Sequence, residues 1–280
     1  MKKTIILGAN SFIAQHLRFD KIADRVKASD SQIEHLLDVY KPDVIINCVG
    51  KTGSPNIDSL ESPDKIGSTI ETNVAIPILL ANIADKKSIK LIQISSGCIF
   101  YGQSPNFANG FDSGWTEKDF ANPVSAYSKS KYACDLALSN MRNTTSLRIR
   151  MPVSGKHSPR NLINKLLNYT HVLDVKNSMT FLSDLPRAID FFIDRDLPGV
   201  WHLTNDEALS PSDVMKEYQQ YIREHKFTTI NDVELDNITV AKRSNCHLNT
   251  DKLKAAGFIM TPSHEALKET MASFIKNENK

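Results

Sequence analysis

Over its first 150 residues the chain alternates short β-rich runs with longer stretches of helical period, a rhythm that admits few folds besides a parallel sheet wrapped by crossover helices. Thr4 to Leu7 reads as the first strand, Ser11 to Arg18 as a helix, and Arg25 to Ala28 as a short strand. Ser31 to Tyr40 is a predicted helix with Ile33, Leu36, Leu37 and Tyr40 on one face, and Val44 to Asn47 a buried strand. Pro63 to Lys87 carries Ile66, Ile70, Val74 and Ile78 at helical spacing, with a kink expected at Pro77. Leu91 to Ile94 is the next strand. A loop rich in Gly, Asn, Ser and Pro (102–122) leads to a helix from Ser125 to Met141 and a strand from Ser146 to Ile149. The predicted class is therefore α/β with a doubly wound parallel sheet.

Composition excludes several partners. Lys and Arg number 34 against 32 Asp and Glu, and no run of five like charges occurs, so nucleic acid is not expected to bind. The longest apolar stretches, Val44 to Ile46 and Ile76 to Leu80, fall far short of the roughly 20 residues that span a bilayer. The basic, then apolar N-terminus runs straight into Gly8, which suits a first strand better than a signal segment, so a cytoplasmic protein is expected. Cys48, Cys98, Cys134 and Cys246 form no C-x-x-C pair, and His157, His171 and the other histidines lack metal spacing; no metal or disulfide is predicted.

Gly8 to Ala14 occupies the strand-to-helix turn where a Rossmann-type sheet places a glycine-rich phosphate loop, yet most of the glycines are absent. Two readings stand side by side: a pyrophosphate site facing a helix N-terminus, or an ordinary turn capped by Asn10 or Ser11. Asp30 is the nearest candidate for an acid that would hold an adenosine ribose, and it suits equally well an N-cap of the helix that follows. Lys27 or Arg25 would instead meet a 2′-phosphate, so NADH and NADPH remain alternatives.

Tyr127 has a lysine four residues on, Lys131, on the same face of a predicted helix, and a strand ending at Ser95-Ser96 precedes that helix after a flexible loop. A carbonyl that receives hydride develops alkoxide charge and needs a positioned proton donor and an oxyanion partner. Tyr127 would donate, Ser96 would hydrogen-bond the carbonyl oxygen, and the Lys131 ammonium would draw the phenol pKa down. This order resembles the extended short-chain dehydrogenase/reductase superfamily.

Beyond residue 150 the rhythm loosens, with helices near Pro159 to Asn168, Leu185 to Ile193, Pro211 to His225 and Pro262 to Ile275, and a strand at Val200 to Leu203. The expected division is an NAD(P)-binding Rossmann domain over 1–150, with 178–203 folding back onto it, and a smaller substrate-binding region over 151–177 and 204–280.

The segments Gly50–Asp58, Ser96–Phe100, Arg148–Pro152, Pro159–Lys165, Asn177–Thr180 and Arg243–Asn245 together resemble the nucleotide-rhamnose synthase/epimerase-reductase family, close to the dTDP-4-dehydrorhamnose reductases. The resemblance implies 3,5-epimerisation and NAD(P)H-dependent 4-reduction of a UDP- or dTDP-4-keto-6-deoxy-D-glucose. It places the reductase trio at Ser96, Tyr127 and Lys131, and the epimerase pair at Cys98 and Lys165. It implies cofactor contacts from Gly8, Asn10, Ser11, Phe12, Ile13, Cys48, Val49, Gly50, Asn73, Met151 and Val153, besides Tyr127 and Lys131. Substrate contacts fall on Thr52, Ser95, Gly97, Arg160, Asn164 and Arg243, the last on the diphosphate. A homodimer is one assembly left open. A 4-reductase without epimerase activity and a non-catalytic NAD(P)-binding regulatory subunit are the competing readings.

Overall fold

The computed structural model describes residues 2–22, 26–108, 110–221 and 224–278. Six parallel strands, β1 (Thr4–Leu7), β2 (Asp20–Ile22), β3 (Val44–Asn47), β4 (Lys90–Ser96), β5 (Thr144–Ile149) and β6 (Gly199–His202), form one sheet in the order β6-β5-β4-β3-β1-β2. The chain leaves β1 for β2 on one side and then returns to place β3 on the other. That reversal opens a crevice at the carboxyl ends of β1 and β3, where open α/β sheets bind ligands. β6 comes from the later part of the chain and pairs along β5 from Gly199↔Thr145 to His202↔Arg148.

Both faces of the sheet are covered, which is why β1 and β3 read as unbroken apolar runs. Ile5, Leu7 and Ile45 face helices α1 (Asp30–Tyr40), α2 (Pro63–Lys86) and α3 (Ala126–Leu138). Ile6, Val44, Ile46 and Ile92 face the helix Leu185–Asp194, which buries Leu185, Ala188, Ile189 and Phe192 against them. By length and composition α2 would pass for a bilayer span, but Leu80, Ala81, Ile83 and Ala84 in its second half lie inside this core. A second core beyond residue 150 gathers Val153, Ile163, Phe181, Met215, Tyr218 and Phe274. A third, smaller one stacks Phe100 on Trp115 at 4.8 Å and seats Cys246 and Leu248 beside the end of β4.

Three local expectations are corrected. The helix predicted over Ser11 to Arg18 is a single 3₁₀ turn, Ala14–His16. Only residues 8–19 connect β1 to β2; Leu17 is already extended to reach β2, so too few residues remain for an i→i−4 ladder. Strand two lies at Asp20–Ile22 rather than Arg25 to Ala28; it is a short polar edge strand with little apolar signal, and Arg25 falls outside the described residues. The helix expected over Pro159 to Asn168 is reduced to Leu162–Leu166, because Asn161 and Asn164 turn their side chains onto the backbone N–H groups of Ser154 (3.1 Å) and Ser158 (3.0 Å). Just before Pro77, where a kink is expected, the helix relaxes into a π turn, Glu71–Ala75, with the Ile76 N–H on the Glu71 carbonyl.

Candidate active site

The carboxyl ends of β1 and β3 meet at Gly8. Its φ is +82°, and a Cβ there would lie 2.9 Å from the Cys48 carbonyl carbon, so only glycine lets the strands come this close. Gly8→Ala is expected to cost about 1–3 kcal/mol and to weaken dinucleotide binding, read by thermal unfolding and by fluorescence titration with NADPH. After Gly8 the Ser11 N–H bonds the Gly8 carbonyl (2.9 Å), and the Ser11 hydroxyl accepts from the Ala14 N–H (3.0 Å). Both groups of Ser11 thus close the turn. Asn10 is exposed, while Phe12 and Ile13 pack half-buried on the core. His16 fastens this turn to the segment after β5. Its Nδ1 lies 2.8 Å from the Phe12 carbonyl, which only accepts, so Nδ1 carries the hydrogen and Nε2 accepts from the Ser154 hydroxyl at 2.7 Å.

Asp30 is exposed at the first position of α1, well past the end of β2, so it does not stand at the tip of strand two. Lys27 is exposed. At the end of β3, burial pushes the Cys48 thiol up to about 12, and the Val49 N–H bonds the Asn47 side chain at 3.1 Å. A Cβ on Gly50 would sit 3.3 Å from Lys131 Nζ, so the missing side chain leaves room for the amine. Asn73, in the π turn of α2, accepts from the Lys51 N–H (2.8 Å) and donates to the Lys51 carbonyl (3.0 Å) and Ser130 hydroxyl (3.1 Å). It clamps the Gly50–Lys51 loop onto α3.

Ser125 caps α3 by accepting from the Ser128 N–H (3.1 Å), and Glu61 accepts from the Ala126 N–H (2.8 Å). Tyr127, Lys131 and Asp135 then recur at every fourth position on the buried face. Ser96, at the tip of β4, hydrogen-bonds the Tyr127 hydroxyl and accepts from the Cys98 N–H at 3.1 Å. The expected lowering of the phenol pKa is not what the site does. Burial raises Tyr127 above its ordinary range, the Cys98 thiol acts in the same direction, and only the Ser96 hydrogen bond opposes them. Burial also lowers Lys131, so the desolvated lysine does not dominate its neighbour. The phenol keeps its proton, the state the expected donor role requires.

Lys165 reaches the same space from the short helix after Pro159. Burial, and then the nearby Arg160 guanidinium, lower its pKa, while the Cys98 thiol acts in the opposite direction and Arg243 adds to the lowering. Tyr127, Cys98, Lys165, Arg160 and Arg243 therefore surround one cleft. Arg160 crosses it to donate to the Thr52 hydroxyl and the Gly53 carbonyl (3.1 Å), and Arg243 crosses it to Asp58.

Several expected contacts point elsewhere. Successive side chains of a strand take opposite faces, so Ser95 turns away from Ser96 and donates to Asp135 at 2.6 Å. That carboxylate pairs with Arg148 Nε (2.7 Å), and Arg148 in turn donates to His202 (3.1 Å), forming a buried network beneath the site. A Cβ on Gly97 would lie 2.4 Å from Leu248 Cδ1, so Leu248 fills the space expected to face substrate. Asn164 is committed to Ser158 and His157. Val153 buries its side chain in the second core and gives its carbonyl to the Leu182 N–H (2.8 Å). Met151 holds a left-handed φ of +39°, a backbone strain kept beside the site, and its sulfur accepts from Arg150. Sequence reasoning passed over Asp58, Asp135 and His16; only Asp135 left a signal, as the next member of the Tyr127/Lys131 series.

A Rossmann-type sheet with a Ser-Tyr-Lys trio at its carboxyl edge and cations across the cleft defines a reductase-like class. The family described as RmlD substrate binding domain matches residues 22–276, and the chain belongs to that family. A bifunctional dTDP-4-dehydrorhamnose 3,5-epimerase/dTDP-4-dehydrorhamnose reductase of Arabidopsis thaliana is 37% identical, over 87% of this chain and 80% of its own length. A trifunctional UDP-glucose 4,6-dehydratase/UDP-4-keto-6-deoxy-D-glucose 3,5-epimerase/UDP-4-keto-L-rhamnose-reductase of the same plant is 32% identical over 95% of this chain, which spans 39% of that protein. Among solved structures, the UDP-rhamnose synthase of Acanthamoeba polyphaga mimivirus superposes with a TM-score of 0.90 at 28% identity, covering 97% of this chain and 99% of that one. The Bacillus anthracis dTDP-4-dehydrorhamnose reductase in complex with NADP shares the fold with a TM-score of 0.81 at 21% identity, covering 97% and 98%. The α/β class and the family read from the motifs are those found.

Proposed function

We propose that the protein reduces the 4-keto group of a UDP- or dTDP-linked 6-deoxyhexose with NADPH or NADH, and epimerises C3 and C5 in the same cleft to give the L-rhamnose nucleotide. The observation that carries this reading is the convergence of Ser96, Tyr127, Cys98 and Lys165 on one space beyond the tip of β4. The residues suit a dinucleotide: Gly8 lets β1 and β3 close up, and the absent side chain of Gly50 leaves the Lys131 amine room beside Asn73. When bound, the dihydronicotinamide supplies the hydride.

Tyr127 gives its phenolic proton to the oxygen at C4, and Ser96 hydrogen-bonds that oxygen as charge develops on it. Loss of a proton from C3 or C5 places enolate charge on the same oxygen, so the two hydroxyls serve both reactions. Inversion requires a proton donor and an acceptor on opposite faces of the sugar, a role we assign to Cys98 and Lys165. Burial brings the Lys165 pKa down, closer to neutral pH than that of a solvated lysine. We place the reaction in the cytoplasm, on a nucleotide-sugar substrate.

The test is an NMR-monitored incubation with UDP-4-keto-6-deoxy-D-glucose in heavy water, with and without reduced cofactor. Deuterium at C3 and C5 followed by a reduced L-sugar is the expected result; Cys98→Ala abolishes the exchange while retaining reduction of an already epimerised ketosugar. Reduction without exchange in the unaltered protein would leave a plain 4-reductase.

A further inference from the structure

Resting on the nucleotide-sugar reading above, we propose that Asp58 is a positioning residue that fixes the plane of Arg243 and thereby aims its free edge at the substrate diphosphate. A guanidinium has five N–H donors. Arg243 spends one from NH1 on Asp58 Oδ1 (2.7 Å), the other from NH1 on the Ala241 carbonyl (2.6 Å), and one from NH2 on Asp58 Oδ2 (2.9 Å). What remains is Nε–H and the second NH2 hydrogen, which lie side by side and form the other two-donor fork of the group, the geometry that matches two oxygens of a phosphate. The side chain keeps 21% of its surface exposed.

Asp58 is itself held in place. The Asn56 side chain accepts from the Asp58 N–H at 2.9 Å, and Asp58 Oδ1 also accepts from the Ala241 N–H at 2.8 Å. The Arg243 guanidinium keeps the carboxyl below its ordinary range, so the pair stays charged through neutral pH. At the other end of the same loop Arg160 is fastened in like manner to Thr52 and Gly53. Gly53 cannot be replaced there, since a Cβ would fall 1.9 Å from the Asn56 carbonyl oxygen. The loop from Gly50 to Asp58 thus holds two arginines that lie near Lys165.

The test compares the unaltered protein, Asp58→Asn, Arg243→Lys and the double variant, measuring the Kd for UDP and for dTDP by calorimetry and the KM and kcat for UDP-4-keto-6-deoxy-D-glucose. Asp58→Asn is expected to raise Kd and KM by about 10- to 100-fold, the range for a positioned charge-assisted hydrogen bond, with kcat within about twofold. In the Arg243→Lys background the same change adds little, because its effect passes through the guanidinium. Asp64→Asn, which removes an exposed carboxylate paired with Lys65, serves as the control and leaves KM where it was. An unchanged or lower KM in Asp58→Asn overturns the proposal, as does an effect that persists in full beside Arg243→Lys, since Asp58 would then act only through the Ala241 backbone. If the unaltered protein binds neither UDP nor dTDP, the nucleotide-sugar reading fails, and this proposal with it.

Discussion

Tyr127→Phe is expected to lower kcat for ketosugar reduction by about 10²- to 10⁴-fold, the range for removal of a positioned general acid, with KM little changed. The phenol is buried, hydrogen-bonded to Ser96 and held protonated by its surroundings, so the variant removes one proton and little shape. The ring itself is buried, and the unfolding midpoint is expected to stay within a few degrees. Single-turnover reduction measured by loss of NADPH absorbance checks the prediction. A variant that reduces the ketosugar at the native rate would remove Tyr127 from the role of donor and leave water or Cys98 to supply the proton.

Asp135→Ala is expected to destabilise the fold by about 3–5 kcal/mol, because it strands a buried guanidinium without its counter-ion. Asp135 and Arg148 are 1% and 3% exposed, and the carboxylate also receives the Ser95 hydroxyl. Next in line, burial and Arg148 hold His202 well below its ordinary pKa, so the neutral imidazole accepts from Arg148 and cannot share the charge. Urea unfolding followed by circular dichroism gives the number. A loss below about 1 kcal/mol, typical of an exposed pair, would mean that water reaches this network.

The parts of the fold that were legible from sequence are those whose period is imposed by burial on a regular element. β1 and β3 are near-continuous apolar runs because helices cover both faces of the sheet, β4 and β5 keep apolar residues at Leu91, Ile92, Ile94, Leu147 and Ile149, and α1 shows its stripe because one side alone is buried. The elements misread are those in which side chains compete with the backbone or the connection is too short. Ser11 and His16 take up local donors and acceptors in the turn after β1, and Asn161, which precedes Leu162–Leu166, and Asn164 within it do the same for the segment before that helix. β2 is three residues at an edge, with a single buried side chain, Ile22.

The candidate site divides in the same way. Ser96, Tyr127 and Lys131 were legible because a strand tip and one helix face carry them, and both are local geometries. The motif resemblance brought in Cys98, Lys165, Arg160 and Arg243, but their common cleft depends on the cores beyond residue 150 and around Phe100 bringing distant segments to β4. Ser95 and Gly97 meet other partners for a related reason. Ser95 faces the opposite way from Ser96 on the strand and Gly97 lies just past its end; what fills the space beside each, Asp135 for one and Leu248 for the other, is chosen by packing.

By itself, then, the sequence determined the parallel α/β sheet, the Ser-Tyr-Lys order and the family, since periodicity and motif spacing are properties of the chain taken a few residues at a time. Only the tertiary structure decided that burial raises Tyr127 rather than Lys131 lowering it, and that Asp58 occupies one edge of Arg243. The physical reason is that desolvation and hydrogen-bond geometry belong to groups that meet across long stretches of chain, and no local pattern records which of them will meet.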